Sequence, residues 1–116
     1  MNKRALGQNK EQEAANFLKQ HGMEILVCNY RNRSGEIDII GRHEGYLVFV
    51  EVKYRADTSK GSALEAVDIR KQRQICKVAN YYRMTHGIGE FTPIRYDVVG
   101  IQGDQILWIP NAFYHI

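Results

Sequence analysis

Nine consecutive residues constrain this chain more than any other feature: Tyr46-Leu47-Val48-Phe49-Val50-Glu51-Val52-Lys53-Tyr54. Rich in valine and aromatics, the run reads as the most apolar strand of the sequence, which places it near the centre of a sheet. Two charges interrupt it. Alternation sends Phe49, Glu51 and Lys53 to one face and Val48, Val50 and Val52 to the other, where they bury against a helix. An unpaired carboxylate in such a strand is expensive. Gly35-Glu36-Ile37-Asp38-Ile39-Ile40-Gly41 repeats the pattern one strand earlier, with acids set among isoleucines.

The elements around these two runs follow from periodicity. Ala14, Ala15, Phe17 and Leu18 predict an amphipathic helix from about Asn9 to Gln20, stopped by His21-Gly22, with Glu11 in its first turn. Glu24 to Tyr30, Glu36 to Gly41 and Tyr46 to Tyr54 are three strands joined by short turns, hence an antiparallel meander. Ala63, Leu64, Val67, Ile75, Val78, Ala79 and Tyr82 predict helix up to about Met84, with Asp68-Ile69-Arg70 interrupting it. Pro93 to Val99 and Gln105 to Ile109 are the last strands, and Pro110 is expected to end the second. The order α, β, β, β, α, β, β describes an α/β domain with helices covering a sheet.

At 116 residues the chain fits one domain, residues 1–116. No stretch approaches the roughly 20 apolar residues that span a bilayer. The basic start of the chain has no apolar core behind it, so no secretory signal is expected. Cys28 and Cys76 lie far apart, outside any CxxC or Cys/His pattern, and are expected to be reduced, half-buried or buried thiols in a cytoplasmic protein. His21, His43, His86 and His115 show no metal-ligand spacing. Walker, dinucleotide-binding and zinc-finger patterns are absent from the sequence. Net charge is only +3, but its cations gather at Arg31 and Arg33, at Lys53 and Arg55, and from Arg70 to Arg73, flanking the acids.

A short antiparallel connection brings Asp38 beside Glu51, with Cβ atoms about 5 Å apart. Two carboxylates that close repel unless they share a proton or a cation. Mg²⁺ or Mn²⁺ is the natural partner, since both accept carboxylates, water and phosphate oxygens. Such an ion polarises a scissile phosphate and lowers the pKa of water. Lys53 suits the charge that develops on phosphorus. The neighbouring acids favour its ammonium form, so an electrostatic role is expected rather than that of a base. Glu36 is an accessory ligand or a partner of Arg33 or Arg31. Arg31, Arg33, Arg55 and Lys60 are candidate contacts to a nucleic-acid backbone. From residues alone, a solvated edge strand and a non-catalytic nucleic-acid-binding module stay open beside catalysis.

Gly35-Glu36-Ile37-Asp38-Ile39-Ile40 followed by Val48-Phe49-Val50-Glu51-Val52-Lys53-Tyr54-Arg55 resembles the YraN family of small bacterial proteins, within the PD-(D/E)xK nuclease-like superfamily. The likeness continues through Asn29-Tyr30-Arg31, Ala66-Val67 with Lys71-Gln72, Arg95 to Val99, and Asn111-Ala112-Phe113. It implies a restriction-endonuclease-like three-layer core, with a mixed sheet of about five strands, similar to that of Holliday junction resolvases. It also implies a Mg²⁺- or Mn²⁺-dependent endonuclease acting on DNA, including branched or damaged DNA. By position, Asp38 and Glu51 correspond to the superfamily's acidic ligands and Lys53 to its catalytic lysine. Glu11 matches a further metal-binding glutamate on the first helix, although Lys10 stands where the family has glycine. Lys71, or Gln72 in its place, matches an accessory substrate-facing position. A homodimer is the expected assembly for a symmetric substrate.

Overall fold

The computed structural model describes residues 3–55 and 67–116, with side chains of the first helix described from residue 9 onward. In chain order the elements are α1 (Lys3–Gln20), β1 (Glu24–Asn32), β2 (Gly35–His43), β3 (Tyr46–Arg55), α2 (Ile69–Thr85), β4 (Ile94–Gln102) and β5 (Gln105–Phe113). The five strands form one sheet in the order β1-β2-β3-β4-β5. β3 is therefore central, as its apolar sequence requires. It pairs parallel with β4, while every other pairing is antiparallel, so the sheet is mixed.

Each helix covers one face. Val48 and Val50 of β3 share a core with Ala14, Ala15 and Leu18 of α1, and Val52 packs against it. Leu47 and Phe49 share the other core with Ile75, Cys76, Val78, Ala79 and Tyr82 of α2. The result is the three-layer α/β architecture expected from the element order.

Several boundaries differ from the sequence reading, each for a local reason. α1 begins at Lys3, so Glu11 lies in mid-helix; no acid occupies the first turn. Its carboxylate is thus placed by packing and not by the free N–H groups of a helix start. Asp68 caps the start of α2, its side chain accepting from Lys71 N at 2.9 Å, so a helix begins where the interruption at Asp68-Ile69-Arg70 was expected. Ala63 and Leu64, expected in that helix, lie outside the described residues, as does Lys60. Pro110 does not end β5, because β5 is an edge strand where a missing N–H costs little. Cys28 is exposed and Cys76 buried, both free thiols. Tyr82 packs in the core as expected, whereas Tyr81 points outward.

A buried polar knot holds β4 to its neighbours. Arg95 donates to Asp97 from Nε at 2.9 Å and from Nη2 at 2.8 Å, and Nη2 also lies 3.0 Å from His43 Nδ1. Asp97 further accepts from Trp108 Nε1 at 2.8 Å and from Asn111 N at 2.9 Å. The last bond falls where the β4–β5 register shifts and where Asn111 adopts φ 53°. Asp97 thereby supports the stretch of β5 that carries the chain past Pro110.

Gly41 marks a close approach inside β2. A Cβ there would lie 2.7 Å from the Glu24 carbonyl oxygen and 2.8 Å from Met23 Sδ. Backbone on one side limits relaxation, so Gly41→Ala is expected to destabilise the fold by about 1–3 kcal/mol. Chemical denaturation of the two proteins measures this, and an unchanged midpoint with unchanged slope would exclude it.

Candidate active site

The β2–β3 ladder pairs Ile39 with Val50 and goes no further toward the start of β2. At that point Asp38 replaces backbone pairing with side-chain pairing: Val52 N donates to Asp38 Oδ2 at 2.7 Å. Strand alternation also breaks here. Ile37 packs in the α2-side core and Ile39 in the α1-side core, although two residues apart they should share a face. Asp38 sits between them, and its carboxyl meets acids from both layers. Its charge is felt by Glu11 of α1 and by Glu51 of β3. The convergence of Asp38 and Glu51 expected from strand geometry is present.

Around Asp38 the acids crowd. Carboxylate oxygens of Glu11, Glu36 and Asp38 all lie within 4.8 Å of one another. Glu51 joins them through Asp38 and is 6% exposed. Such crowding raises the cost of ionisation. Burial first, then the Asp38 charge, push Glu51 up to about 8 against the pull of Lys71 and Lys53. Burial and the same neighbour push Glu11 up to about 7. Asp38 is also raised, mainly by burial, with the Val52 N–H opposing. Among the described residues, one buried oxygen of this group, Glu11 Oε2, has no hydrogen-bond donor at all. A hard divalent cation fits these donors: oxygen ligands of net negative charge, close enough to share it, one of them without any partner.

Two ammonium groups face the cluster. Lys53 Nζ lies 3.9 Å from Glu51 Oε1, and Lys71 Nζ lies 3.9 Å from Glu51 Oε2. Both lysines are half-buried. At this separation they hold Glu51 loosely, and among the described residues neither ammonium donates a hydrogen bond.

The remaining expected residues divide. Glu36 sits within the acid cluster and pairs with Arg31 Nη2 at 2.9 Å. Arg31 is thus tied to the site's rim. Arg33 is exposed and Arg55 half-buried, and neither makes an ion pair among the described residues. Gln72 Nε2 turns back to the Val67 carbonyl at 3.1 Å, leaving Lys71 as the residue of this pair that reaches the site. Sequence reasoning missed Asn29. It lies opposite Asp38 in a gap between the Cys28–Ile39 and Tyr30–Ile37 pairs, with φ 56°, and its side chain favours the charged form of Glu11. The signal available was an asparagine inside a strand, where that residue is depleted.

Fold and site together define a small three-layer α/β protein with a carboxylate cluster at the break in its central sheet, rimmed by lysines. The chain belongs to the uncharacterised protein family UPF0102, the YraN family, whose profile matches residues 10–101. It is 52% identical over 113 residues to a UPF0102 protein of Lachnoclostridium phytofermentans, covering 97% of this chain and 96% of that one. It is 45% identical over 108 residues to one of Aeromonas hydrophila, covering 92% and 83%. A third, from Legionella pneumophila, is 40% identical over 109 residues, covering 92% of both chains. The nuclease-like superfamily is consistent with this family. Among the described residues no helix is long and apolar enough to cross a membrane.

Proposed function

We propose that this chain is a Mg²⁺- or Mn²⁺-dependent endonuclease that hydrolyses phosphodiester bonds in DNA. One observation carries the reading: acids from three elements converge on Asp38 while two ammonium groups approach the same cluster at 3.9 Å. Glu11, Asp38 and Glu51, with Glu36 beside them, would hold the ion, which when bound supplies a Lewis acid for the phosphate and a lowered pKa for water.

The chain's own residues account for the rest. Asp38 is fixed by the Val52 N–H, so its free oxygen points into the cluster without reorganisation. Lys53 and Lys71 stand ready to donate to non-bridging phosphate oxygens, where charge accumulates as the water oxygen adds to phosphorus. Glu51 lies between the two ammoniums, 3.9 Å from each, and draws both toward the cluster. Burial of Glu51 within this group strengthens each of these interactions.

Cleavage of linear, nicked and four-way DNA, assayed with Mg²⁺ and with Mn²⁺, tests the proposal. Wild type should cut at least one substrate, and Lys53→Ala should cut it about 10²–10³-fold more slowly. Intact DNA under every condition, or equal rates for both proteins, would point instead to a binding module that keeps the fold without the chemistry.

A further inference from the structure

The first three turns of α2 carry Arg70, Lys71, Arg73, Gln74 and Lys77. Counted from Arg70, spacings of 3, 4 and 7 place Arg73, Gln74 and Lys77 on one helix face. Opposite that face stands the β1–β2 turn. Gln74 Nε2 donates to the Ser34 carbonyl at 3.1 Å, and a Cβ on Gly35 would lie 2.6 Å from the same nitrogen. Gly35 also adopts φ 142°, a conformation that L side chains rarely take, so the contact depends on glycine. Helix and turn together enclose an open groove of about 600 Å³, into which Arg70, Lys71, Arg73 and Lys77 all face. Among the described residues its one carboxylate, Asp68, is engaged at the start of α2. Arg70, Arg73 and Lys77 are exposed and make no ion pair among the described residues.

Lys71 belongs to both places. It lines the groove, and its Nζ reaches Glu51 in the acid cluster. From this shared residue we infer that the groove is a backbone track for double-stranded nucleic acid, holding the strand that flanks the bond presented to the acids. The inference rests on the phosphodiester reading above and adds to it where the substrate lies and in what form.

Charge and spacing support the track. Arg70 to Lys77 spans about 10 Å of helix axis. A B-form duplex presents one phosphate per strand for about every 3.4 Å of its axis, so a helix of this length laid along the axis spans about three of them. The groove's composition selects the duplex. Surfaces that track single strands combine cations with aromatic side chains on which bases stack. No aromatic residue lines this groove among the described residues. Arginine and lysine reading phosphates from outside need none.

Binding in EDTA separates this track from the chemistry. A short labelled duplex and the corresponding single strand are titrated with the full chain at two salt concentrations, by fluorescence anisotropy. The groove variant is Arg73→Ala/Lys77→Ala; the control, Lys19→Ala/Arg42→Ala, removes the same charge elsewhere. Both groove positions are exposed on a helix, where alanine is well tolerated, and a thermal melt confirms folding. Wild type should bind the duplex, and the groove variant should bind it at least about tenfold more weakly, with the slope of log affinity against log salt reduced by about 2. The control should change affinity by less than about threefold, since its cations touch no phosphate. Absence of duplex binding by wild type, equal losses in the two variants, or equally tight groove-dependent binding of the single strand would each overturn the inference. Groove-dependent duplex binding by a protein that cuts nothing would retain the track and defeat the nuclease reading. Cleavage that survives in a groove variant with unchanged affinity would do the reverse.

Discussion

Replacing Asp38 with asparagine should reduce metal-dependent cleavage by more than about a hundredfold and at the same time make the metal-free protein more stable at alkaline pH. The first effect follows from position. Loss of a residue that only orients a metal ligand costs about 10–100-fold, and Asp38 is the carboxylate that the other acids share, so its loss costs at least as much. The second effect follows from linkage. Glu51 is pushed up to about 8 and Glu11 to about 7, both above the value of 4.5 for a free glutamate. Between those limits the folded chain binds more protons than the unfolded one, so stability falls as pH rises. In wild type without metal, the melting temperature should therefore drop from about pH 5 to pH 8, by a few degrees for each kcal/mol of strain relieved on unfolding.

The asparagine side chain keeps an oxygen for the Val52 N–H but removes the charge that raises its neighbours. The pH profile of Asp38→Asn should flatten. Added Mn²⁺ should restore wild type at pH 8 and leave the variant unmoved. Calorimetric scans at three pH values, with and without Mn²⁺, measure all of this. A variant that cuts normally removes Asp38 from the chemistry; one that is less stable than wild type at pH 8 removes the account of the cluster as mutually repelling acids.

Asp97→Ala should be among the most destabilising single changes available, costing about 3–5 kcal/mol out of a total of about 5–15. Asp97 is fully buried and accepts four hydrogen bonds, two of them from Arg95, itself 8% exposed. Its removal leaves a guanidinium inside the protein facing an imidazole and two aromatic rings. None of these carries the compensating charge. Trp108 is the sole tryptophan and donates to Asp97, so its fluorescence reports the knot directly. Urea titration followed at Trp108 should show a lower midpoint for Asp97→Ala and an intermediate one for Asp97→Asn, which keeps an acceptor but not the charge. A shift below about 1 kcal/mol would mean that water enters and solvates Arg95.

The chain's central strand and its two covering helices were legible because burial imposes periodicity. Val48, Val50 and Val52 must face one way and Phe49 the other, and a helix must shield each set. The pairing of Asp38 with Glu51 was legible for the same reason, since a short antiparallel turn leaves little freedom of register. What escaped was everything that depends on a departure from regularity. Asn29 turns into left-handed space opposite Asp38, and the strand's alternation breaks beside it. Neither follows from a two-residue repeat. The course of β5 past Pro110 escaped too, because it is supported by Asp97 on another strand.

The sequence by itself therefore determined the order of elements, the central place of the strand read as Tyr46 to Tyr54 and the presence of acids where a sheet should be apolar. Only tertiary structure decided that Glu11 reaches Asp38 from mid-helix, that Glu36 serves the cluster and Arg31 together, and that Lys71 rather than Gln72 faces Glu51. The physical reason is range. Periodicity records which side of its own element a residue must face, whereas a shared ion or phosphate is set by where three separate elements meet.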